Sequence, residues 1–206
     1  MAAIAVARAY QHSFDTRPNA TLAVAGGALT ALGDVVAQVT QNIRARRELH
    51  HTRPQYDAKR TLRFFIFGAA MSPFIGRWNK FLEWRFPLRS EGGKISMSSL
   101  TKRVAADQII MAPIGLTMFL GGMGIMEGRD LNHIKGKFRD LYKEAIIANW
   151  KVWPAVQIIN FRSMPLPYRV PFQQSCGVFW TLYLSLLNSS EECKQELEDN
   201  LRRTLD

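Results

Sequence analysis

Two cysteines in 206 residues cannot build a disulfide framework. Cys176 falls inside an apolar run, where an inert buried thiol is expected, and Cys193 lies in an acidic tail. Histidine is as scarce: His12, His50, His51 and His133 share no ligand spacing with cysteines or carboxylates, so no metal site is expected. GxSxG, P-loop, HExxH and GxGxxG patterns are all missing. The one glycine cluster, Gly121-Gly122-Met123-Gly124, does not open a helix after a strand and so does not read as a phosphate cradle. With no nucleophile beside a base, neither enzymatic activity nor a bound cofactor is expected.

Charge is the most telling absence. Gln108 to Met126 contains no ionised side chain, and neither does Val170 to Ser190. Each run is about the length that crosses ~30 Å of hydrocarbon at ~1.5 Å per residue. The alternative is a pair of buried helices in a soluble all-α protein. A mean hydropathy of −0.11 does not decide the matter, because charged connections dilute it. Those connections carry the net charge of +10. Arg44, Arg46, Arg47, Arg53, Lys59, Arg60 and Arg63 fall between the first two apolar segments. Arg77, Lys80, Arg85, Arg89, Lys102 and Arg103 surround the next connection, and Arg129, Lys135, Lys137 and Arg139 the one after. Basic residues bracketing apolar spans read as contacts to anionic lipid headgroups and as snorkelling anchors. No zinc spacing or RNA-recognition motif accompanies them, so nucleic acid is not an expected partner. Because they crowd both sides, they do not fix topology.

The periodicity is helical throughout, with no alternating strand pattern. Residues 1–18 read as an uncleaved amphipathic segment, since Met1 to Tyr10 is poor in acids and has one arginine, Arg8. Five apolar segments follow, over about Asn19–Ile43, Thr61–Leu82, Leu100–Met126, Tyr142–Phe161 and Pro171–Asn188. A charged tail, 191–206, reads as a soluble helix. The glycines at 121–124 are expected to weaken the end of the third segment. The expected fold is all-α: a single domain over 1–206, a polytopic membrane bundle of about four spanning helices plus amphipathic helices. Small residues four apart, Ala23, Gly27 and Ala31 on the first segment and Gly68, Ser72 and Gly76 on the second, would let two backbones approach closely. Pro113 and Pro154 each remove a backbone donor, and a kink or an interruption is expected at each.

Polar residues inside these spans are the candidate site. Asp34 and Gln38 share a face of the first segment, and Asp107 and Gln108 open the long uncharged run. Trp150, Trp153, Gln157 and Asn160 are spaced 3, 4 and 3 apart around Pro154, which puts them on one helical face. Lipid accepts no hydrogen bonds, so that face must turn toward another helix or a wet cavity. A carboxylate deep in a span costs ~3 kcal/mol on insertion scales. Asp34 and Asp107 therefore need partners, with Arg60, Arg63, Lys102 and Arg103 as basic candidates. Two readings stay open. In one, these residues line a polar lumen that passes small solutes. In the other, they are interhelical bonds in a membrane scaffold or assembly factor.

The same residues resemble a family often called Mpv-seventeen/peroxisomal membrane protein of twenty-two kilodaltons. The resemblance runs through Arg17-Pro18, Thr21, Gly26-Gly27, Gly33-Asp34 and Gln38. It continues at Asp57, Arg60, Arg63, Gly68, Pro73, Trp78 to Leu82, Lys102, Asp107-Gln108 and Pro113. It is most specific at Trp150, Trp153-Pro154, Gln157, Asn160-Phe161, Pro165, Arg169, Trp180 and Tyr183-Leu184-Ser185. Asn79 stands where the family often has tyrosine, and Met164 where it usually has valine. The resemblance implies a small integral protein of the mitochondrial inner membrane or, alternatively, the peroxisomal membrane. It implies pore-like passage of small solutes or a role in metabolite homeostasis. A homo-oligomer is a possible assembly.

Overall fold

The computed structural model describes residues 2–45, 55–88 and 96–182. These are helical, and no strand occurs among them. In chain order they form α1 (Ala2–Thr16), α2 (Pro18–Ala45), α3 (Ala58–Arg85) and α4 (Met97–Ala106). A π-helical segment, Asp107–Met111, leads directly into α5 (Ala112–Met126). Then come α6 (Leu131–Ser163) and α7, which occupies 166–182. The tail 191–206, Cys193, and Tyr183-Leu184-Ser185 lie outside the described residues.

Four helical stretches exceed the ~30 Å of a hydrocarbon core: α2, α3, α4 through α5, and α6. Two of them, Pro18–Ile43 (26 residues) and Met97–Met126 (30 residues), are also apolar enough to cross a membrane. The second shows large apolar side chains to the outside, with Ile109 70% and Ile125 69% exposed. A soluble protein would bury such a helix, whereas lipid covers it at no cost.

α2 and α3 pack antiparallel on small residues. Leu22, Gly26 and Thr30 meet Gly76, Ser72 and Gly68. A Cβ on Gly68 would lie 2.8 Å from the Gly26 carbonyl oxygen, so only glycine permits this approach. The α3 ridge is the expected one. On α2 the ridge runs through Gly26 rather than Ala23 and Ala31, with Gly27 against Phe65.

The glycines at 121–124 do not end α5, which continues to Met126. The stop is Gly128, at φ 69°, with Gly128 N–H bonded to Ile125 O (2.9 Å) and Arg129 N–H to Gly124 O (3.0 Å). This is a Schellman ending, and it needs the left-handed backbone that glycine adopts freely. Asp130 then caps α6 by accepting from His133 N–H at 3.1 Å. Apolar residues at the far ends of α3, α4 and α6 form a core of Leu82, Leu100 and Phe161, flanked by Trp78 and Phe86.

Candidate functional site

The nine candidate residues divide into two groups. Asp34 and Gln38 project from α2 toward the start of α3. Asp34 is 1% exposed, and Arg60 Nε lies 2.7 Å from its Oδ1. Its Oδ2 accepts from Gln38 Nε2 (2.8 Å) and Thr61 Oγ1 (2.7 Å). Gln38 also grips the backbone of Asp57, accepting from its N–H at 2.8 Å and donating to its carbonyl at 3.1 Å. Asp57 in turn caps α3 by accepting from Arg60 N–H at 2.9 Å. That bond holds its carboxyl below the ordinary carboxylate range, with help from the charges of Arg63 and Arg60. The buried charge of Asp34 is thus paired, as expected from the basic candidates, and the cluster is closed.

Asp107 stands elsewhere. Thr61 and Trp78 are about 25 Å apart along α3 at ~1.5 Å per residue, and Trp78 Nε1 donates to Asp107 Oδ1 at 3.1 Å. Gln108 Nε2 (3.0 Å) and Gln157 Nε2 (2.8 Å) donate to Oδ2. Asn160 Nδ2 donates to Gln157 Oε1 at 2.9 Å, which fixes that amide's orientation. Every contact on Asp107 is a donor, the pattern that suits a carboxylate. No cation pairs with it among the described residues, although it is 5% exposed. Asp34 and Asp107 therefore sit in separate clusters of side chains.

The π-helical segment explains the tryptophan. Ala112 N–H bonds to Asp107 O, one residue further back than in an α-helix. In that register the carbonyl of Gln108 would be met by the amide of residue 113, but Pro113 has none. Trp150 Nε1 supplies the missing donor at 3.0 Å. The disturbance expected at Pro113 thus takes the form of a π-turn ahead of it, bolted to α6 by Trp150. At Pro154 no interruption occurs, since α6 runs through it from Leu131 to Ser163.

Beside Asp107 lies a cavity of about 620 Å³, within the range of small-molecule sites. Asp107 and Gln108 form part of its wall, with Asn149, Trp153 and Gln157 of α6 and Gln173 and Trp180 of α7. Met71 and Ile75 of α3 and Leu116 and Phe119 of α5 supply apolar surface. Trp153 and Gln157 thus belong to the cavity, while Trp150, 47% exposed, and buried Asn160 support it from behind. Among the described residues no group of histidine, cysteine and acidic side chains is arranged to hold a metal ion.

Two arginines, Arg103 and Arg169, are buried. Arg103, expected at the headgroups or as a partner for a buried aspartate, is 1% exposed and donates through Nε to Phe86 O at 2.7 Å. Arg169 pairs with Glu83 at 2.8 Å and donates to Met164 O at 3.1 Å. Together they tie the ends of α3, α4 and α6 to the start of α7. Arg169 carried a signal, since a cation at a helix N-terminus opposes the dipole and needs an acidic partner. On the same side, Tyr10 Oη donates to Pro167 O at 2.7 Å and docks α1 on the start of α7. Burial and the neighbouring Tyr168 push its hydroxyl up to about 12.

Residues 124–185 match the Mpv17 / PMP22 family. Across a wider span the chain is 36% identical to Protein SYM1 of Saccharomyces cerevisiae over 181 residues, covering 87% of this chain and 88% of that one. It is 34% identical to Protein sym1 of Schizosaccharomyces pombe over 201 residues, 92% of this chain and 95% of that one. It is 37% identical to Protein sym-1 of Neurospora crassa over 180 residues, 87% and 96% of the two chains. No solved structure matches.

Proposed function

Because the chain belongs to the Mpv17 / PMP22 family of organellar membrane proteins, we propose that it passes small solutes across the mitochondrial inner membrane, with the cavity beside Asp107 as the chamber on the path. The observation that carries this reading is a buried carboxylate without a cation among the described residues, beside about 620 Å³ of space between long helices. A purely structural carboxylate would be paired or packed over, because an unpaired buried charge is costly. The function is not enzymatic in this reading. The basic connections contact anionic headgroups rather than nucleic acid, and a homo-oligomer would set several chambers side by side.

A second reading, a non-transporting scaffold or assembly factor, is favoured by the Asp34 cluster, where every polar group ties α2 to α3. The peroxisomal membrane is the alternative site. The test uses Gly115, which lines the cavity and has nothing within 4 Å of the position a Cβ would take. Gly115→Phe should fill the chamber and stop solute flux through liposomes carrying the purified protein, while the helical fold and its melting temperature stay near those of the parent. Unchanged flux through the filled variant would exclude this chamber from the path.

A further inference from the structure

The cavity's walls specify the chemistry of an occupant. Although the chain has 27 basic residues against 17 acidic, no lysine, arginine or histidine lines this space among the described residues. Its charged wall groups are Asp107, which is buried, and Glu144. Gln108 Oε1, Asn149 Oδ1 and Gln173 Oε1 are buried acceptors without a hydrogen-bond partner. The orientation of Gln108 follows from its surroundings: its amide nitrogen donates to Asp107, so its oxygen must face away. Gln108 is 8% exposed, and among the described residues its oxygen has no partner and the neighbouring Asp107 has no counter-ion. A space walled by two acidic side chains, by amides with unmatched oxygens and by no base suits a species that is positive and carries N–H donors.

Size and shape narrow the choice. Gln157 and Glu144 are about 20 Å apart along α6 at ~1.5 Å per residue, and between them the cavity wall includes Ala145, Ala148 and Trp153, faced by Leu116 and Phe119. A bare inorganic ion would leave that apolar length uncovered. We infer that the cavity is a binding site for a small organic ammonium, a protonated primary amine with an apolar body, whose –NH₃⁺ sits against the wall that Asp107 and Gln108 form. Three N–H donors suit the carboxylate and the unmatched amide oxygens, and the body lies along Leu116, Phe119 and Trp153. A quaternary ammonium carries the charge without the donors, and an alcohol carries a donor without the charge. Both are poorer matches. This inference rests on the proposed solute chamber and goes beyond it in naming what the chamber prefers.

The test uses the full chain in detergent, with tryptophan emission as the readout because Trp153 and Trp180 line the space. The probes are n-butylammonium, n-butanol, butyrate, tetramethylammonium and potassium, each as a titration. Saturable quenching by n-butylammonium is expected, at least about tenfold tighter than by any other probe. Asp107→Asn should weaken it by about tenfold or more. If Asp107→Asn does not fold, Gln108→Met should still weaken n-butylammonium several-fold, and Gly115→Phe should abolish saturation. Asp34→Asn should leave the affinity unchanged. Equal saturation by tetramethylammonium, butanol or potassium would overturn the inference, as would an affinity unmoved by both Gln108→Met and Gly115→Phe. Glycerol flux through liposomes made from the same preparation separates the two layers. Flux without amine preference refutes the ligand class alone, and no flux at all refutes the chamber as well.

Discussion

Asp34 and Asp107 are both carboxylates buried inside long helices, and their surroundings differ in kind. Asp34 has an arginine at 2.7 Å, a glutamine and a threonine on one oxygen, and lies against a helix cap. Asp107 has two amides and an indole, no counter-ion among the described residues, and a cavity at its side. The first arrangement neutralises its charge internally and leaves nothing for a visitor to do. The second has donors that fix its position and, among the described residues, no cation beside it. Burial alone would have ranked the two alike, and the presence or absence of the balancing charge is what separates a fastening from a candidate site.

The largest effects are expected on the Asp34 side, where α2 and α3 depend on glycine. Gly68→Leu should drive a side chain into Thr30 and the Gly26 carbonyl and cost about 3 kcal/mol or more. Loss of folded protein on size-exclusion chromatography in detergent would show it, and a folded variant of normal melting temperature would refute the close approach. Asp34→Ala comes next, because it strands Arg60 beside an empty site. About 2–3 kcal/mol is expected, below the range for a fully dry pair because the Arg60 side chain is 35% exposed. The double variant Asp34→Ala, Arg60→Met should recover part of that loss in the same thermal assay.

On the Asp107 side the effects on stability should be smaller. Trp150→Phe keeps a ring but removes the donor to Gln108 O, at a cost of about 1 kcal/mol. If Trp150→Phe is as stable as the parent, the π-turn does not need its indole. The smallest effect concerns Asp57, whose carboxyl is held low chiefly by the Arg60 N–H. A depressed folded value means its contribution is complete above the unfolded value near pH 4 and is lost as the pH falls through the lower folded value. Melting temperature against pH should therefore fall less steeply below about pH 4 in Asp57→Asn than in the parent.

Much of this was legible in the sequence because it depends on local pattern. The uncharged run from Gln108 marked the stretch that α5 occupies, the small residues of α3 marked its packing ridge, and the spacing of Trp153 and Gln157 placed both on the face that lines the cavity. What escaped depends on distant partners. The π register at 107–111 rests on an indole that arrives from α6, and nothing in the local sequence announces a donor from Trp150. Arg103 looks like any surface cation until Phe86 O and the core around Leu100 enclose it. The division of the candidate residues into two clusters follows from α2 and α3 meeting antiparallel, a fact of topology rather than of spacing.

The contrast between the two carboxylates is tested most directly by solute flux per folded molecule in liposomes, measured side by side for Asp34→Asn and Asp107→Asn. Both substitutions keep the side chain's shape and remove one charge. The account predicts that Asp34→Asn lowers the yield of folded protein and leaves the flux per molecule as in the parent, whereas Asp107→Asn changes the flux and its preference among solutes. Equal flux changes in both variants, or a change confined to Asp34→Asn, would contradict it.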